Sequence, residues 1–120
     1  MIAATTGKYT EGGNKMDTET IAMTIIAHAG EALDKAFQAL DEAKKGNFDQ
    51  AKVLLKESEA ESTEAHRSQT ELLVAEANDK KLEINVLLIH SQDHLMTSMM
   101  AQQLIKEMIY LHEHKADKTN

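Results

Sequence analysis

The segment VLLIHSQDHLMTSMMAQQLI, residues 86 to 105, sets the tightest limit on how this chain can fold. It lies in a stretch from about Leu82 to His112 that contains neither glycine nor proline and reads as one long helix. On a wheel advancing about 100° per residue, Val86, Ile89, Met96, Met100, Leu104 and Leu111 all fall within about 60° of Asp93. Leu87, Ala101, Ile105 and Ile109 extend that apolar surface on one side, and Leu88, Leu95 and Met99 extend it on the other. A helix apolar nearly all round is buried on several faces. The acid in the middle of this stripe and the two histidines beside it cost free energy to bury unless they find partners.

Two further helices precede it. Residues 1–16 are small and polar, contain glycine and lack periodicity, so they are expected to form a disordered N-terminal tail. Asp17 or Thr18 can cap a helix with the stripe Ile21, Ile25, Ala29, Ala32, Ala36, Leu40 and Ala43, closed by KKGN with Gly46 just past its end. A second helix runs from Phe48 or Asp49 to about Asn78, with Ala51, Leu55, Ser58, Ser62, Ala65, Gln69, Leu72 and Glu76 at helical spacing. Its middle, ESEAESTEAHRSQTE, has no large apolar residue, and NDKK then makes a short break. The absence of proline and the abundance of strong helix formers fit an all-α chain. The expected domain is an antiparallel up-down-up three-helix bundle over residues 17–115, with 116–120 as a C-terminal tail. Two shorter helices, one polar in its middle third, cannot cover the third helix. The chain is therefore expected to oligomerise with cyclic symmetry, third helix against third helix.

Composition narrows the chemistry. Cysteine is absent, so there is no disulfide framework, thiolate metal site or cysteine nucleophile. A net charge of −7 with 3% aromatic residues argues against nucleic acid and favours a basic partner. There is no apolar signal-like run at the start and no stretch of about 18 apolar residues, so a soluble, cytoplasmic protein without membrane insertion is expected.

His90, Asp93 and His94 stand at i, i+3 and i+4, with Thr97 one turn further, all on one side of the third helix. Three readings compete. The group can be a set of buried polar residues satisfied by neighbours, although three ionisable groups together weaken that reading. H-x-x-x-H with a carboxylate between can bind metal, as a weak motif. An imidazole can also act as a phosphoryl acceptor, with nearby Gln, Thr and His side chains donating to the phosphoryl oxygens. Spacing leaves the last two open. The other histidines carry less weight: His28 suits helix packing or capping, His66 a solvated or interhelical position, and His112 and His114 a last helical turn where cations meet the dipole. Gly30 suits a close helix approach.

LLIHSQDHLMTSMMAQQLIKEMIYLHE closely resembles the C-terminal helix of phosphotransferase-system (PTS) enzyme IIA components of the lactose/cellobiose/chitobiose type, whose signature reads much like HAQDHLMTS. IIAHAGEA at 25–32, the KKGNFDQA turn and EAHRSQTELLVAEAN at 64–78 resemble the family's other landmarks in the same order, over about residues 18–115. The resemblance implies a homotrimer of three-helix protomers, a nine-helix assembly. It implies that His90 accepts a phosphoryl group from the phosphocarrier HPr and passes it to a cysteine of IIB, for phosphorylation of an incoming β-linked disaccharide. It also places Asp93 at the trimer axis with one divalent metal, magnesium, per trimer. On this reading Gln92, His94 and Thr97 are the phosphoryl-oxygen donors, with Gln92 acting across a subunit boundary. His90 lies about 60° from Asp93 towards His94, Thr97 and Ala101, at a border that a partner can reach. Ser91 stands where the family often has alanine. The alternative from another class is a metal-binding helical oligomer with a structural role and no phosphoryl chemistry.

Overall fold

The computed structural model describes residues 17–119, with side chains through 115; the expected tail over residues 1–16 lies outside them. Helix α1 spans Thr18–Lys44. Asp17 caps it, one carboxylate oxygen accepting from the Thr20 N–H at 3.2 Å and the other from the Thr20 hydroxyl at 2.6 Å. The whole expected stripe from Ile21 to Ala43 is buried. The helix stops where Gly46 takes φ +85°, a conformation that costs other L-residues a Cβ clash. Asn47 ties the turn shut: its side-chain amide donates to Glu42 Oε1 and its backbone N–H to the Glu42 carbonyl, both at 2.9 Å. That amide, opposed by desolvation and helped by Lys45, holds the Glu42 carboxyl below its ordinary range.

Helix α2 spans Phe48–Ala77. It ends on Asp79 at φ +62°, a region that aspartate tolerates better than most residues, with the Lys80 N–H donating back to the Ala75 carbonyl at 2.9 Å. Helix α3 spans Val86–Thr119 and starts later than the apolar pattern suggested. Leu82 packs on the core from outside the helix, and Thr18 Oγ1 donates to the Glu83 carbonyl at 3.1 Å, so this linker follows the start of α1 instead of coiling. Asn85 then caps α3, its side-chain oxygen accepting from the Leu88 N–H at 2.9 Å. At the other end the helix passes His112, and the backbone of residues 116–119 continues it where a tail was expected. No glycine or proline stands there to stop it.

Cross-helix bonds give the direction of each element. Ala32 meets Ser58 and His28 meets Glu61, so α1 and α2 are antiparallel. Ser58 meets Gln102 and Gln69 meets Gln92, so α2 and α3 are antiparallel as well. The up-down-up order is as expected.

The core is in two parts. One cluster gathers Ile21, Ile25, Leu72, Leu88 and Leu95, and the other Leu40, Leu54, Leu55, Ile105 and Ile109. A buried polar belt lies between them. There Gln102 Nε2 donates to Ser58 Oγ at 2.6 Å and Ser58 donates to the Ala32 carbonyl at 2.5 Å. In the same belt the Ser62 and Ser98 hydroxyls are buried and find no hydrogen-bond partner among the described residues. An unpaired buried hydroxyl costs about 1–3 kcal/mol. Ser98→Ala is therefore expected to raise stability by about 1 kcal/mol, visible as a melting temperature several degrees higher. A lower melting temperature would show that the hydroxyl makes a bond worth keeping.

Candidate functional site

Helix α3 has two opposed faces. Leu88, Ser91, Leu95, Ser98, Gln102, Ile105 and Ile109 are buried against α1 and α2. Diametrically opposite, Val86, Ile89, Met96, Met100, Leu104 and Leu111 are between 53% and 82% exposed. The apolar stripe centred on Asp93 thus points out of the single bundle, while serine and glutamine point in. The polar belt accounts for the inversion: the middle of α2 is polar, its Ser58 accepts from Gln102 of α3, and the small buried serines Ser62 and Ser98 lie in the same belt without a hydrogen-bond partner among the described residues. Asp93 is exposed at the centre of the outward stripe and makes no hydrogen bond or ion pair among the described residues.

His90 is exposed on the flank of the stripe that lies towards α1. Its ring is parallel to that of His94, with centroids 5.9 Å apart and an interplanar angle of 9°. His94 is half-buried, and its Nε2 reaches α1 at Gly30, where an added Cβ would come within 3.5 Å. That distance is ordinary van der Waals contact, so the His94 ring packs beside Gly30 without needing the absence of its side chain. Thr97 is exposed on the same flank one turn on. His90, His94 and Thr97 are therefore brought to one edge, as expected.

Gln92 is not. It is half-buried on the other flank of α3, towards α2, where Gln69 Nε2 donates to Gln92 Oε1 at 2.7 Å. Its own Nε2 has only a 3.4 Å contact with Ser91 Oγ. Ser91 is turned inward, donating to the Leu88 carbonyl at 2.6 Å, so its hydroxyl is occupied by its own helix. Gln69 escaped sequence reasoning, where it counted only as a member of a helical stripe; a polar residue at an inward position was the signal.

The remaining histidines stand apart from this edge. His28 Nδ1 is 2.7 Å from Glu61 Oε1, a packing contact between α1 and α2. His66 is exposed on α2, and the His114 ring lies against Tyr110 with centroids 3.9 Å apart. Among the described residues, no three His, Asp or Glu side chains of one chain come together to hold a metal, and no helix is long and apolar enough to cross a membrane.

A three-helix bundle with a stacked histidine pair, His90 exposed and His94 half-buried, on the edge of an outward apolar helix face defines a class that the comparisons with known proteins identify. The family model for the "PTS system, Lactose/Cellobiose specific IIA subunit" matches residues 20–113. The chain is 42% identical over 97 residues to the PTS system N,N'-diacetylchitobiose-specific EIIA component of Escherichia coli K12, covering 81% of this chain and 84% of that protein. It superimposes on the crystal structure of the PTS cellobiose-specific enzyme IIA from Bacillus anthracis with a TM-score of 0.83 at 38% identity, over 86% of this chain and 94% of that one. The IIA(Chitobiose)–HPr complex of the Escherichia coli phosphotransferase system matches with a TM-score of 0.73 at 40% identity, over 83% and 97% of the two chains. The protein belongs to the lactose/cellobiose-specific IIA subunits of the PTS. It is a phosphotransferase component of sugar transport, which sets aside the purely structural alternative.

Proposed function

We propose that His90 takes a phosphoryl group from phospho-HPr and delivers it to the cysteine of a IIB partner, in the cytoplasm, for uptake of a β-linked disaccharide such as cellobiose, chitobiose or lactose. The observation that carries this reading is the His90 imidazole itself. It is exposed, it stacks on His94, and no hydrogen bond among the described residues occupies either ring nitrogen. An acceptor nitrogen must offer a free lone pair in line with the breaking bond, so that a phosphorus–nitrogen bond forms on His90 as the one on HPr breaks. The protein then supplies position and charge stabilisation, from His94 and Thr97 on the same edge and from Gln92 of a neighbouring copy. The related chitobiose protein solved with HPr supports HPr as the donor, and the net charge of −7 suits a basic docking surface.

The assembly in this reading is a homotrimer built on the outward face of α3. A row of Val86, Ile89, Met96, Met100, Leu104 and Leu111 left more than half exposed supports it, because a stripe this long is an interface when found on a folded protein. Asp93 sits at the centre of the row. One carboxylate per chain, unpaired and ringed by apolar side chains, fits a shared hard cation held by three oxygen donors, with magnesium as the ion expected. The metal would supply positive charge that lets the three acids stay close together.

Incubation with phosphoenolpyruvate, enzyme I and HPr tests the reading. The wild-type chain is expected to take an acid-labile label that His90→Ala does not take. No labelling of the wild type, with every other component shown to be active, would sink it.

A further inference from the structure

We propose that Gln69 is a positioning residue for phosphoryl transfer: it sets the amide of Gln92 so that the NH2 group of Gln92 is offered to the His90 site of the next copy in the assembly. The inference rests on the reading of His90 as acceptor in a cyclic oligomer. An amide side chain has an accepting end and a donating end, and only its hydrogen bonds decide which points where. Gln69 Nε2 donates to Gln92 Oε1 at 2.7 Å, which pins the accepting end of Gln92 towards α2. The donating end is left with a 3.4 Å contact to Ser91 Oγ, at the long limit for a hydrogen bond, and is available to a better acceptor.

Register then decides what that acceptor is. On α3, His90 and Gln92 lie about 160° apart around the helix, on opposite flanks of the Asp93 stripe, so they do not meet within one chain. In a ring of copies packed through that stripe, one flank of each chain faces the opposite flank of the next. The Gln92 of one copy therefore faces the His90 of its neighbour, and Gln69 stands behind it on α2. Phosphoryl oxygens are acceptors only, so the NH2 end of Gln92 stabilises the charge they carry in transfer, whereas the carbonyl end repels it. No proton moves at Gln92. The phosphorus–nitrogen bond on HPr breaks, the one on His90 forms, and Gln92 contributes a hydrogen bond.

Two substitutions separate this role from simple packing. Gln69→Met keeps the shape and removes both amide groups, leaving Gln92 free to rotate. Gln69→Glu introduces a carboxylate that only accepts, so it draws the Gln92 NH2 inward and turns the carbonyl towards the phosphoryl site. In rapid-quench transfer from phospho-HPr, the maximal rate is expected to fall about tenfold in Gln69→Met and about a hundredfold in Gln69→Glu, with KM for phospho-HPr changed less than about twofold. Melting temperature and sedimentation of both variants are expected to match wild type.

Co-expression of Gln69→Glu with His90→Ala gives the decisive readout. Where a Gln69→Glu copy lends its intact His90 to a site completed by an intact Gln69–Gln92 pair from the His90→Ala copy, a fast phase at the wild-type rate is expected to return. Mixed assemblies that transfer only at the Gln69→Glu rate would overturn the proposal, as would a Gln69→Glu protein as fast as wild type. A wild-type chain that takes no label at all brings down the functional reading, and this inference with it; a labelled wild type with no fast phase in the mixture brings down the inference alone.

Discussion

His90→Gln is expected to accept no phosphoryl group at all, while His94→Ala still accepts one, about a hundredfold more slowly than wild type. The difference follows from what each ring does. Glutamine fills much of the space of histidine and keeps a hydrogen-bonding end, but its amide nitrogen has no free lone pair to attack phosphorus. The exposed ring of His90 is the group that HPr can reach, and His94 is half-buried with Nε2 against Gly30 of α1. Held there, with its ring 5.9 Å from that of His90, His94 supports the site as a hydrogen-bond donor without being presented to a partner. Removing one donor aimed at developing charge slows a reaction by about 10²–10³-fold, which is large, yet far from abolition. Quenched transfer with both variants measures the rates, and mass mapping locates the label. Label found on His94 would reverse the two roles.

The parts of this fold that were legible in the sequence are those governed by local chemistry. Asp17 starts α1, and Gly46 ends the turn after it, because a carboxylate beside free N–H groups and a residue without Cβ at positive φ each suit one backbone task. The start of α3 was less legible. Leu82 continues the apolar pattern of the helix, but a tertiary contact between Thr18 and the Glu83 carbonyl holds that stretch out of it, and pattern alone does not see such a contact. The orientation of α3 was hidden for a related reason. A helix apolar nearly all round does not announce which side meets its own chain. That side is marked by Ser91, Ser98 and Gln102, of which Gln102 bonds to Ser58 of α2 while the two serines are small enough to be buried at the helix contact. For the site, one helix face carries His90, His94 and Thr97 together, so spacing finds them. Gln69 lies on another helix, and only the packing of α2 on α3 brings it to Gln92.

Asp93→Leu is expected to leave a trimer that ignores chelator and still accepts a phosphoryl group on His90, whereas wild-type assembly weakens in EDTA. In the proposed trimer, three copies of Asp93 meet within a seam of Ile89, Met96 and Met100, and like-charged carboxylates that close cannot all remain ionised without compensation. A shared cation offsets the repulsion, so its removal loosens the wild-type seam. Leucine removes the repulsion and adds apolar surface where the neighbours are already apolar; replacing buried ionic groups in this way is often neutral or stabilising by about 1–4 kcal/mol. His90 should keep its function because it stands on the flank beside the stripe, stacked on His94, and makes no bond to Asp93. Sedimentation of both proteins with and without EDTA, alongside labelling from phospho-HPr, measures each part separately. A monomeric Asp93→Leu that cannot be labelled would show that this aspartate shapes the phosphoryl site as well as the seam, and would move it from an assembly residue to a functional one.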